Sequence, residues 1–285
     1  VLVERPCRHR GVRAPCRRGK EEPISAIASM PLQGLRDALR LPNPRVDSSR
    51  RRSLLAADHL ASPPPNGGST ALIVVDAQRC WYSNAANGRA RTAFPALPQR
   101  LKALLEGARQ EGIPVVHLRA SYESSPHVST MRRLNPSLNI NPIVPDDPEP
   151  WARELEGEDV IYKSTFDGFF ATPLESRLEE LGVTRVLICG LVTSACVLGT
   201  ALGAFYRGLD VLLVEDCCAD RSIERHEATV GMYSDYCFQS ILARDFLGAS
   251  HEDLPPAAGA CGSASKQVPE VLTVSRALSC GASVA

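Results

Sequence analysis

Long apolar runs are missing from this chain. Nothing in it approaches the roughly 20 consecutive apolar residues that a helix needs to cross a bilayer, so a helical membrane protein is excluded and a soluble one is expected. Net charge is missing too, with 32 Lys and Arg against 32 Asp and Glu. The balance hides an asymmetry, because residues 1–60 carry thirteen basic and six acidic side chains and leave nineteen and twenty-six for the rest. A mildly acidic body offers no electrostatic footprint for a nucleic-acid groove, and a small-molecule partner is expected instead, with neither nucleic acid nor membrane. No G-x-G-x-x-G or G-x-x-x-x-G-K-[ST] follows any expected strand, which argues against a nucleotide-binding α/β module. The ten cysteines include no C-x-x-C, so neither a zinc knuckle nor a thioredoxin-like redox pair is indicated. Their irregular spacing predicts free thiols in a reducing intracellular compartment. Cys189, Cys217, Cys218 and Cys237 read as small core or subsurface residues.

What is present is a 44% hydrophobic composition, ample for one large buried core. Residues 1–68 are Arg-rich, punctuated by proline and without sustained periodicity, and they end in the turn-forming run 62–68. They read as a disordered leader and linker. One reading is an organelle transit peptide, which would place the protein in a plastid or mitochondrion; the other is an extension that is not translated, leaving a cytoplasmic protein. A catalytic domain is expected over 69–248, followed by a mobile Ala/Gly/Ser/Pro-rich tail over 249–285.

Within the domain, apolar β-branched runs alternate with amphipathic stretches, the rhythm of a parallel sheet with crossover helices. Strands are expected at 71–75, 115–118, 160–162, 186–189, 211–214 and near 238–242, and helices at 99–111, 173–181, 195–206 and 223–233. Residues 120–150 read as a long Pro/Asn/Ser-rich connection, a length that points to a lid or subunit contact.

Ligands of open parallel sheets sit outside the carboxyl ends of the strands, so the residue after each strand is the first place to look for chemistry. Asp76 follows the first strand, Lys163 follows 160–162, and Cys196 opens the helix after 186–190. A thiol at a helix N-terminus is expected to have a lowered pKa, because the unpaired N–H groups favour the thiolate and a nearby ammonium reinforces them. Asp76 then accepts and returns a proton while Lys163 supports the thiolate. Each residue alone has a plainer reading: a buried structural thiol, a turn cap, a solvated amine. Their shared position at strand ends favours chemistry.

Three motifs carry these residues: Ala71-Leu72-Ile73-Val74-Val75-Asp76-Ala77-Gln78, Lys163-Ser164-Thr165-Phe166-Asp167-Gly168-Phe169-Phe170, and Gly190-Leu191-Val192-Thr193-Ser194-Ala195-Cys196-Val197. In order and spacing, residues 71–246 resemble the isochorismatase-like cysteine hydrolases, which include nicotinamidases, N-carbamoylsarcosine amidase and ureidoacrylate amidohydrolase. The resemblance implies an α/β, three-layer Rossmann-like fold on a six-stranded, mostly parallel sheet with helices on both faces. It implies a triad of Asp76, Lys163 and Cys196, and a non-proline cis peptide at Leu191-Val192 that aims the N–H groups of Val192 and Cys196 as an oxyanion hole. It also implies a homodimer or homotetramer. The reaction expected is cleavage of a C–N bond in a small amide, ureido or carbamoyl compound through a thioester. Gln78 is expected to contact substrate, and Trp81, Tyr122 and Phe169 to form the apolar body of the pocket, with ordinary packing as the alternative.

Departures narrow this further. Nicotinamidases of this family hold a metal through an Asp-x-His pair downstream of the first aspartate, but residues 77–92 contain neither Asp nor His, and isolated His117 and His127 do not make a site; no metal or other cofactor is expected. True isochorismatases cleave a vinyl ether and lack the cysteine, so Cys196 places ether hydrolysis second. A catalytically silent binding protein of the same fold is the remaining alternative. Arg119, Arg132 and Arg133 flank the lid and could pair with a substrate carboxylate, although solvated loop charge is the plainer reading for at least two of them. For His226 a capping or interface role is expected.

Overall fold

The computed structural model describes residues 58–248, apart from 86–87, 124, 135 and 137–142. The expected leader over 1–57 and the tail from 249 onward lie outside the described residues. Six strands form one parallel sheet: β1 (Ser69–Val75), β2 (Val115–Ala120), β3 (Asp159–Lys163), β4 (Val183–Leu191), β5 (Asp210–Ala219) and β6 (Gln239–Ile241). Their order across the sheet is β3-β2-β1-β4-β5-β6, and every ladder is parallel. The sheet is thus wholly parallel where a mostly parallel one was expected, and helices cover both faces. Central strands of such a sheet are buried on both sides and read as continuous apolar runs, which is why Ala71 to Val75 are all at most 1% exposed.

The helices are α1 (Arg89–Ala93), α2 (Leu97–Gln110), α3 (His127–Leu134), α4 (Leu174–Glu180), α5 (Leu198–Tyr206), α6 (Ile223–Tyr233) and α7 (Ala243–Leu247). In α2 the side chains of Leu101, Leu104, Leu105 and Ala108 fall on one face and are buried, as their spacing of three and four requires. Among the described residues no helix is long and apolar enough to cross a membrane.

Two expectations are corrected. The connection 120–150 is not all loop, since α3 lies within it; Val128 is the residue it buries, and so short an apolar stripe is hard to distinguish from loop composition. The linker also ends earlier than residue 68. His59 Nε2 lies 2.8 Å from Asp210 Oδ1, Arg185 Nη1 donates to Ser62 O at 2.7 Å, and Thr184 Oγ1 donates to Pro65 O at 2.8 Å. These contacts fasten 58–68 to the amino ends of β4 and β5.

The chain begins its sheet in the middle, winds outward to β3, and returns to lay β4 beside β1. The switch point therefore lies between β1 and β4. Val75 and Gly190 are paired there. A Cβ on Gly190 would lie 2.1 Å from Val75 O, and its φ is +116°, so only glycine lets the two strands close at this point.

Candidate active site

Asp76 leaves β1 in the left-handed region, φ 47°, which aspartate tolerates better than most residues. Its N–H still bonds Leu118 O at 2.9 Å, so the end of the β1–β2 ladder fixes its backbone. Lys163 ends β3, two strands away, and its Cα partner in β2 is Ala120. That small neighbour leaves a path for the long side chain, and Lys163 Nζ donates to Asp76 Oδ2 at 2.8 Å and to Thr165 O at 3.1 Å. The two side chains are 0% and 2% exposed. Asp76 Oδ1 is buried with no hydrogen-bond partner among the described residues, which leaves one carboxylate oxygen open to receive a proton.

Cys196 lies in the turn Thr193–Val197 between β4 and α5. Val197 N bonds Val192 O at 3.2 Å, an i→i+5 step, so the turn is π-wound where a regular helix from 195 was expected. Such wide turns recur at functional positions. The Leu191–Val192 peptide is cis. Two residues hold this turn from outside: Asp220, which the sequence did not single out, and His226, for which a capping or interface role was expected. Asp220, the residue after β5 and fully buried, accepts from Ser194 N at 2.7 Å. His226 Nδ1 meets Thr193 Oγ1 at 2.9 Å, and burial pushes the pKa of this histidine down to about 4. The rule that pointed to Asp76, a polar residue just past a strand, also points to Asp220. The His226 contact joins residues 33 apart and has no local signature.

The electrostatics overturn one expectation. Burial and then the Asp76 carboxylate push the Cys196 thiol up to about 12, and the opposing pull of Lys163 does not offset them. A helix-end thiolate was expected from the turn's N–H groups and a nearby ammonium; the structure adds burial of the sulfur and a neighbouring carboxylate, which act the other way. For Lys163, burial disfavours the ammonium, but Asp76 and the Cys196 sulfur outweigh it and raise the pKa. The resting site is therefore a neutral thiol beside an ion pair. Iodoacetamide should alkylate Cys196 slowly at pH 7, with a rate rising about tenfold per pH unit to pH 10, because only the thiolate reacts. A rate already on a plateau at pH 7, followed by peptide mass spectrometry, would contradict this.

The remaining expected site residues divide. Tyr122 and Trp81 meet edge to face with ring centroids 6.5 Å apart, and Tyr122 Oη lies 3.8 Å from Cys196 Sγ. Gln78 is corrected as a substrate contact: Oε1 accepts from Ala120 N at 2.9 Å, while Nε2 donates to Ala120 O at 3.3 Å and Pro145 O at 3.1 Å. It ties the end of β1 and the segment at Pro145 to β2. Phe169 is 3% exposed within the main core, with the Arg207 guanidinium 4.6 Å over its ring. Arg119 is no free cation, being paired with Asp146 at 2.7 Å and with Glu154. Arg132 and Arg133 lie exposed on α3. Glu149 accepts from Ser83 N and Ser83 Oγ, both at 2.8 Å, and so holds the turn that carries Trp81. His117 is engaged with Glu158 at 2.9 Å, His127 stands edge-on to Phe170, and among the described residues no His/Cys/Asp/Glu cluster fits a nicotinamidase-type metal.

The family model for the isochorismatase domain matches residues 70–245. The chain belongs to the isochorismatase family. Among its isochorismatase-family relatives is an uncharacterized protein of Bacillus subtilis, 29% identical over 176 residues, which are 61% of this chain and 91% of that protein. The streptothricin hydrolase of Streptomyces noursei is 33% identical over 160 residues, 54% of this chain and 55% of the hydrolase; the match thus spans little more than half of that relative. Among solved structures, N-carbamoylsarcosine amidase from Thermoplasma acidophilum superposes with a TM-score of 0.51 at 25% identity, over 61% of this chain and 96% of the amidase. The family is hydrolytic and has amidase members, and the isochorismatase-like sheet is the one described above.

Proposed function

We propose that this chain is a cysteine hydrolase that cleaves the C–N bond of a small amide, ureido or carbamoyl compound, with Cys196 as nucleophile, Asp76 as general acid and base, and Lys163 as the cation that supports both. The observation carrying this reading is the buried Lys163–Asp76 pair, 2.8 Å long and 0% and 2% exposed, set at the switch point where Cys196 also arrives. Isolated buried charges are expensive, and an ammonium, a carboxylate and a thiol gathered at the mouth of a parallel sheet suit acyl transfer better than structure. Relatives named maleamate amidohydrolase, ureidoacrylate amidohydrolase and N-carbamoylsarcosine amidase support the bond type.

Because the thiol rests protonated, attack and proton removal belong to one step. The sulfur bonds the carbonyl carbon as its proton moves to the open Oδ1 of Asp76, and the carbonyl π pair moves onto oxygen. The N–H groups of Val192 and Cys196 serve as the oxyanion donors, as the family resemblance implies, and such donors are worth about 3 kcal/mol each. Collapse restores the C=O bond and breaks C–N, and Asp76 returns its proton to the leaving nitrogen. Water then adds to the thioester with its proton passing to Asp76; the second collapse breaks C–S and reprotonates the sulfur. Lys163 stays an ammonium throughout.

The test is ammonia release from a panel containing nicotinamide, N-carbamoylsarcosine, maleamate and ureidoacrylate. At least one C–N compound is expected to turn over in the wild type and not in Cys196→Ala. Ether cleavage of isochorismate in both proteins, with no ammonia from any amide, would replace the reading.

A further inference from the structure

Tyr122 stands two residues past the end of β2 and is 3% exposed. Its Oη lies 3.8 Å from Cys196 Sγ, within hydrogen-bond range for sulfur, and either atom can donate. The ring belongs to a small hydrophobic cluster separate from the main core, formed with Ala120 and Val128, against which Trp81, Met131 and Val144 pack. Val128 and Met131 come from α3, so that helix packs on the ring that brings the hydroxyl to the sulfur. Packing alone would be met by phenylalanine, since a buried hydroxyl is tolerated only with a partner. Here that partner is the sulfur.

We propose that Tyr122 is a fourth catalytic residue, whose hydroxyl donates a hydrogen bond to the Cys196 sulfur while the thiol proton passes to Asp76. The inference rests on reading Cys196 as the nucleophile. The groups around the sulfur are Asp76 from the end of β1, Lys163 from the end of β3, and Tyr122 beyond β2; Cys80, on the turn after β1, faces the phenol. A sulfur that becomes negative in a buried site beside a carboxylate lacks water as a donor, and the phenol adds a second donor to Lys163. Burial raises the phenol's own pKa and Cys196 raises it further, so the hydroxyl keeps its proton throughout. It breaks no bond; its contribution is to the charge on sulfur.

Tyr122→Phe keeps the ring and removes the donor. A hydrogen bond to a charged group corresponds to about 10- to 100-fold in rate. Alkylation of Cys196 by iodoacetamide should therefore slow by that factor at each pH from 7 to 10, and kcat should fall similarly with KM within about threefold. Val128→Ala is the companion variant, since it loosens the cluster from α3. If Tyr122 were only a packing residue, that variant would admit iodoacetamide and alkylate faster; the proposal expects slower alkylation, because the donor drifts from the sulfur. Wild-type alkylation and kcat in Tyr122→Phe, or faster alkylation in Val128→Ala, overturns the inference. Retained turnover in Cys196→Ala would instead remove the nucleophile reading beneath it, and the two failures are distinct.

Discussion

Replacing Cys196 with alanine should lower kcat by at least about 10⁴-fold, the scale on which removal of a covalent nucleophile acts, and leave the fold intact. The side chain is 6% exposed and sits at the edge of the core, and the lost sulfur leaves only a small gap. Loss of one sulfur should cost on the order of 1 kcal/mol, and the Tyr122 hydroxyl that faced it loses a weak partner. Circular dichroism and thermal melting should therefore match the wild type within a few degrees while ammonia release disappears. Full turnover in a well-folded Cys196→Ala would end the triad proposal.

Lys163→Met has an equally large effect on activity and a second on stability. Removing one partner of a buried pair strands the other, at about 3–5 kcal/mol, which for a domain of this size is on the order of 10 °C in melting temperature. The double variant Lys163→Met with Asp76→Asn removes the stranded charge as well. It should recover most of the stability and none of the activity. The pH dependence follows from the direction of the lysine shift. Its folded pKa lies above the ordinary 10.5, so the pair's contribution is fully present below that value and is lost only as pH rises through the raised one. Between pH 6 and 9 the contribution of the pair to wild-type stability should thus stay constant. A Lys163→Met protein that melts like the wild type would show that the pair is not the buried unit described here.

Much of this fold was legible because a parallel sheet buried on both faces writes itself as apolar runs, and the residues after those runs included Asp76, Lys163 and Cys196. Less was legible wherever the answer depended on distant partners. Arg119 reads as one of three arginines that could pair with a substrate carboxylate until Asp146 and Glu154 are seen on it. Gln78 reads as a substrate contact until its amide is found bridging to Ala120 and Pro145. The charge state of Cys196 is the sharpest case. A helix end and a lysine can be read in sequence, whereas the burial and the nearby carboxylate that push the thiol up cannot. The helix α3 was missed because it buries one residue, Val128, and its remaining composition is that of a loop.

The central claim is a covalent bond between substrate carbonyl carbon and one sulfur. Its most direct test is to acid-quench the protein during turnover of an active amide and measure the mass of the peptide bearing Cys196. The account predicts an acyl adduct on that peptide, labile to hydroxylamine and absent from Cys196→Ala. Turnover with the adduct on another residue, such as Cys80, or continued turnover by Cys196→Ala, would contradict it.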